Sequence, residues 1–167
     1  MSSGTVHAKA SIILASTFTV ASLYNPRILE CAAGAMAGIL LSPDLDLDAR
    51  NISYKIIRKR SLFGEKLWSW FWRGYRKSFK HGQFASHFPI FSTFVRLFYI
   101  YFWIILVPHV FLKLPFLMKL SPIPQWDLMF VLSWYAKIFL SWMFVYGLMA
   151  SDVIHWALDA LTVEHKK

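Results

Sequence analysis

Apolar residues along the chain fall into four long runs separated by polar punctuation. Ala8–Tyr24 reads as an apolar helix carrying small hydroxyl residues. Asn25-Pro26-Arg27 ends it, because proline disfavours a helical conformation in the residue before it and favours a reversal. Ile28–Leu41 reads as a second helix, and Gly34-Ala35-Met36-Ala37-Gly38 within it is a small-xxx-small pattern that lets another helix approach closely. This pair is short for a full bilayer crossing and forms a hairpin that returns the chain to its starting side. Phe88–Leu112 and Trp126–Ala150 are longer, with 25 residues each. That length crosses a hydrocarbon core of about 30 Å at about 1.5 Å per residue. Lys113–Gln125, with three prolines, joins them on the far side.

Between the two pairs the pattern changes. Leu67, Phe71, Tyr75 and Phe79 recur every four residues, while Lys66, Ser69, Arg73, Arg76, Lys77 and Lys80 occupy another face. The spacing predicts an amphipathic helix over 62–80 lying in a membrane interface, with Trp68, Trp70 and Trp72 at headgroup depth. The predicted fold is all-α: an integral membrane bundle of about four apolar helices plus this interfacial helix. A single domain covers 1–167. Within it, 42–87 is the ligand-bearing and basic segment, and 151–162 is a helix end rich in His and Asp.

Composition strengthens the membrane reading, since 57% of residues are hydrophobic, 18% aromatic and only 16% charged. Net charge is +9, and ten of the eighteen Lys/Arg lie between Arg50 and Lys80. Because that block is interleaved with aromatics and adjoins apolar spans, the expected partner is anionic lipid headgroups; nucleic acid is not expected. No feature points to a protein partner. The opposite connectors hold only Arg27, Lys113 and Lys119, so the charge bias places both termini on the cytoplasmic side of a plasma or inner membrane. The single cysteine, Cys31, allows no disulfide within the chain. The N-terminus lacks the basic start of a signal peptide.

The candidate chemistry begins at Ser42-Pro43-Asp44-Leu45-Asp46-Leu47-Asp48, directly after the second apolar run. It contains three of only nine carboxylate residues. Carboxylates at the end of an apolar helix are costly unless something positive occupies them, and a divalent cation serves. The hairpin topology brings His7 and these aspartates to one side of the bilayer. His81 and His87 precede the third helix on that side, and the fourth helix returns to it before His155 and Asp159. His155 and Asp159 stand at i, i+4 on one helix face, and Asp152, three residues before His155, is placed to orient its ring. Asp44 and Asp46 share a face if Pro43 keeps the segment extended. The expected metal ligands are therefore His7, Asp44, Asp46, His81, His87, His155 and Asp159. His109 and His165 are expected to be non-ligands. Mixed His/Asp donors suit zinc, with manganese or iron as alternatives, and more than four of them suit two or more ions. Arg96 and Lys137 are the only charges toward the middle of the two long helices, which disfavours a transporter or channel. Arg96 is placed to meet a substrate phosphate or to neutralise the aspartates; Lys137 is expected to snorkel.

These pieces, Ser42-Pro43-Asp44-Leu45-Asp46, His81-Gly82-Gln83-Phe84-Ala85-Ser86-His87 and His155-xxx-Asp159-xx-Thr162, resemble the YdjM-like membrane-bound metal-dependent hydrolases. The likeness is strongest to a metal-binding branch whose members begin with a segment like Ser3-Gly4-Thr5-Val6-His7, and it extends over nearly the whole chain. The resemblance implies a helical membrane protein with a metal site at the seven residues named above. It usually has Arg where this chain has Gly82, which leaves Arg76 or Arg96 to take that place. The expected function is a membrane-bound, metal-dependent hydrolase acting on a phosphoester, such as a phospholipid headgroup, with Asp46, Asp152 and Arg96 in the catalytic machinery. The alternative is a non-catalytic metal-binding membrane protein whose site is structural or serves a partner complex.

Overall fold

A computed structural model describes residues 4–46, 51–79, 88–107, 110 and 141–164. Among these the chain forms six α-helices and no strand: α1 (Gly4–Ala21), α2 (Ile28–Leu40), α3 (Ile52–Arg60), α4 (Leu62–Ser78), α5 (Pro89–Tyr101) and α6 (Trp142–Glu164). A 3₁₀ turn, Pro43–Asp46, follows α2, and α5 runs on through a π turn, Phe102–Leu106.

Local chemistry sets several boundaries. The Asn25 side-chain oxygen accepts from the Arg27 N–H (3.1 Å), closing the reversal before α2. Asn51 caps α3 by accepting from the Ser53 N–H (2.8 Å), and Ser61 caps α4 by accepting from the Gly64 N–H (3.0 Å). Arg58, Lys59 and Arg60 close α3, and Arg76 and Lys77 close α4, where cations complement the helix dipole. In α1 the hydroxyls of Ser16, Thr17 and Thr19 donate back to carbonyls four residues earlier, so an apolar helix carries them without orphaned donors.

The most extensive packing is between α2 and α6, with α1 laid against both. Small residues make the α2–α6 approach possible. A Cβ at Gly34 would fall on the Phe144 carbonyl, and one at Gly147 on the Cys31 carbonyl. A Cβ at Gly38 would collide with the Ser151 hydroxyl. The small-xxx-small pattern therefore works as expected and is matched from the other side by Gly147. Leu97, Val145 and Leu148 form the core between α5 and α6. A second core, Leu45, Trp72, Tyr75 and Ile100, lies between the 3₁₀ turn, α4 and α5.

Three expectations change. The expected membrane bundle of about four apolar helices is not supported: one stretch among the described residues, Ile28–Leu45, is long and apolar enough to cross a membrane, and it is half buried in the protein. Pro89–Ile104 is a shorter apolar helix, and most of 108–140 lies outside the described residues. The apolar face of α4 is covered only in part, with Leu67 and Trp70 left exposed. Tyr75 is buried, Phe71 and Phe79 pack on the second core, and Trp72 is wholly inside it. Finally, α6 does not end near Ala150 but continues unbroken through Ser151 to Glu164, so the His/Asp segment is part of a long helix.

Candidate metal centre

Three elements meet at the site. His7 projects from the first turn of α1, Asp44 from the 3₁₀ turn, and His155 and Asp159 from consecutive turns of α6. One turn from each histidine, Ser11 and Ser151 share a buried hydrogen bond (2.8 Å) that pins α1 against α6. Ser42 accepts from the Asp44 N–H (3.1 Å), which winds the acidic segment into its turn. The backbone at Asp44 and Asp46 is therefore not extended, and the alternation argument for a shared face does not apply. The Asp46 side chain, His81 and His87 lie outside the described residues.

The two imidazoles stack, with centroids 3.6 Å apart and planes 14° from parallel. His7 Nε2 is 3.3 Å from Asp159 Oδ1, and His155 Nε2 is 3.4 Å from both Asp159 Oδ2 and Asp44 Oδ1. His7, His155 and Asp159 each offer a donor atom within 4.8 Å of the other two. Both histidines are nearly inaccessible, and Asp44 closes the opposite side. The adjoining cavity, lined by His7, Ser11, Ser42, Asp44, Ser151 and His155, has a volume of about 10 Å³, room for a single water or ion.

Electrostatics separates the two rings. Burial lowers the His7 pKa, the neighbouring His155 lowers it further, and the carboxylates only partly offset this. Burial would also lower His155, but Asp159 and Asp44 outweigh it and push that imidazole up to about 9. In the metal-free protein at neutral pH the site thus holds one imidazolium facing two carboxylates beside one neutral ring.

This arrangement fits a divalent metal. Ligand atoms on a tetrahedral ion sit about 2.0–2.2 Å from it and hence roughly 3.4 Å from each other. The observed separations of 3.3–3.4 Å match that spacing and are long for directed hydrogen bonds. Correspondingly, His155 Nε2 and Asp44 Oδ1 are buried with no hydrogen-bond partner, which is costly for a folded protein unless something else occupies them. Two imidazoles and two carboxylates are donors that zinc, manganese and iron(II) accept.

Arg96 and Asp152 sit one layer deeper. Arg96 is wholly buried and donates from all three guanidinium nitrogens, to the Asp152 carboxylate and to the carbonyls of Ser92 (3.1 Å) and Leu41. Thr93 also donates to Asp152. Asp152 therefore pairs with Arg96 and Thr93 on α5, and all three guanidinium nitrogens of Arg96 are engaged within the protein. Together they bind the residue preceding Ser42 to the helix that carries His155. Sequence reasoning missed this bracing, and it missed the serines beside the ligands. The signal for the serines was present: Ser11 is four residues after His7, and Ser151 four before His155, so each shares a helix face with its histidine.

The described residues thus form an all-helical fold with a His/Asp cluster between its first and last helices that could hold a metal ion. Residues 2–167 match the family model "Uncharacterized metal-binding protein (DUF2227)", and the chain belongs to that family. The match supports metal binding and is silent on hydrolysis. No curated protein and no solved structure matches the chain.

Proposed function

We propose that the protein binds a divalent metal, zinc by the donor set and spacing, as a clamp that ties α1 and the 3₁₀ turn to α6 in a membrane-associated protein. The observation that carries this reading is that His155 Nε2 and Asp44 Oδ1 are buried 3.4 Å apart, at metal-ligand spacing, with neither making a hydrogen bond. Three of the proposed donors, His7, Asp44 and His155, line a nearly closed cavity, which suits a structural site, since catalytic ones keep a position for water. When bound, the ion would supply the positive charge that the carboxylates lack. The chain's own residues hold it: His7 and His155 through nitrogen, Asp44 and Asp159 through oxygen. A membrane setting is supported by large apolar side chains left exposed on several helices, such as Ile13 (67%), Phe98 (65%) and Trp142 (68%).

Hydrolysis of a phosphoester is the second reading. Asp159, at the rim of the cluster and only partly buried, favours it as the place where water could reach the site. Elemental analysis of purified protein tests the first reading: one equivalent or more of metal in the natural chain, and its loss in an Asp44→Ala/His155→Ala double variant that stays helical. Equal metal in both proteins would refute the assignment of these donors. Metal-dependent turnover of a model phosphodiester, lost in Asp159→Ala, would favour the enzyme.

A further inference from the structure

Between α4 and the helix formed by α5 and its π turn lies a groove that the metal centre does not use. Trp70, Phe71, Tyr99 and Trp103 wall it, Arg73, Gly74 and Lys77 complete it, and its volume is about 450 Å³. That size suits a small-molecule headgroup. Its architecture is specific. Trp70, Arg73, Gly74 and Lys77 fall on one face of α4 at spacings of three and four. Gly74 is needed for the floor, because a Cβ there would come within 2.9 Å of the Tyr99 hydroxyl. Tyr99 in turn stacks on buried Trp72 (5.2 Å, 19°), so the floor is held rigidly by the core.

We propose that this groove binds the headgroup of an anionic phospholipid, with Arg73 and Lys77 on the phosphate and the aromatic walls against the glycerol and upper acyl chain. Charge complementarity argues for it. Both cations are exposed, neither forms an ion pair with a described residue, and no described carboxylate lines the groove. The apolar side argues for a lipid rather than a soluble phosphate. Four aromatic side chains, Trp70, Phe71, Tyr99 and Trp103, line the groove, and Trp103 packs against Phe102 (5.5 Å). A free phosphate would have no use for those walls. A nucleic-acid strand would need a row of cations along its backbone, and the groove holds two, Arg73 and Lys77. The proposal rests on the membrane setting of the preceding section but not on its metal.

The test uses the full chain in mixed detergent micelles, titrated with phosphatidylglycerol or phosphatidylcholine brominated on the acyl chains, with tryptophan quenching as the readout. The expected result is an apparent affinity at least ten-fold higher for phosphatidylglycerol. In Arg73→Gln/Lys77→Gln that preference disappears while helicity and metal content stay unchanged, and in Trp103→Leu the quenching amplitude falls. Equal affinity for the two lipids overturns the proposal, as does a preference that survives the double variant. Displacement of phosphatidylglycerol by equimolar glycerol phosphate would instead assign a soluble phosphate ligand, and displacement by an oligonucleotide a nucleic-acid groove; either also overturns it. Loss of metal binding with the lipid preference intact would count only against the metal clamp.

Discussion

Replacing Arg96 by Met removes the guanidinium while keeping much of the side-chain volume. Arg96 and Asp152 are almost completely excluded from solvent, so the variant leaves a buried carboxylate whose one remaining donor is Thr93. Its Oδ1 already has no hydrogen-bond partner, and the Leu41 carbonyl loses its donor as well. Breaking a buried pair from one side costs about 3–5 kcal/mol. At about 2–4 °C per kcal/mol for a domain of this size, a loss near 4 kcal/mol lowers the melting temperature by roughly 8–16 °C. Burial already raises the Asp152 pKa against the pull of Arg96. Without Arg96 it rises further, so the folded variant binds a proton more readily than the unfolded chain. Its deficit is then smallest at low pH and grows as pH rises. Thermal unfolding followed by far-UV circular dichroism, on metal-free protein across pH 4–8, measures both effects. Arg96→Met/Asp152→Asn should recover a large part of the loss, because no unpaired charge remains. A deficit below about 1 kcal/mol, or one that is additive with Asp152→Asn, would refute the claim that the two side chains act as one buried pair.

Gly147→Val should prevent the α2–α6 approach, because its Cβ would fall on the Cys31 carbonyl; overpacking costs about 1–3 kcal/mol or more, read as a lower melting temperature. A melting temperature equal to the natural chain's would refute that close contact. Zinc affinity, measured with a competing chelator, should rise about ten-fold per pH unit from about pH 6.5 to 8.5, since the ion must displace the proton that His155 holds up to about 9. An affinity flat over that range would show that His155 is not protonated in the metal-free site. In the metal-free protein the same proton stabilises the fold fully below about pH 6.5, its ordinary pKa, and that contribution fades as pH rises through about 9, so unfolding by urea should need less denaturant at pH 9 than at pH 6. Ser11→Ala should lower zinc affinity several-fold with little change in helicity, because its bond to Ser151 holds the two histidine-bearing helices in register.

Much of the helical plan was legible because its determinants are local. The second helix was expected over 28–41 and found at Ile28–Leu40, and the basic helix over 62–80 was found at Leu62–Ser78. Pro26 and the Ser61 cap act within one turn of those boundaries. The His155–Asp159 pairing was legible for the same reason, since i, i+4 neighbours on a helix meet whatever surrounds them. By contrast α3 went unread, because its apolar positions are interrupted by four cations and only Asn51 marks its start.

What periodicity cannot state is which surface covers an apolar face. The stripe on α4 was clear, but only the packed chain shows Leu45 and Ile100 meeting Trp72 and Tyr75 there, because burial free energy depends on area removed from water and not on what removes it. The same holds for Arg96. A cation in an apolar helix demands a partner, and its sequence position does not choose among a substrate phosphate, a metal ligand and Asp152, which lies 56 residues away. Tertiary packing made that choice, as it did in bringing His7 against His155 from opposite ends of the chain. Coulombic and ligand contacts act over a few ångströms of space, and only the fold turns distance along the chain into distance between atoms.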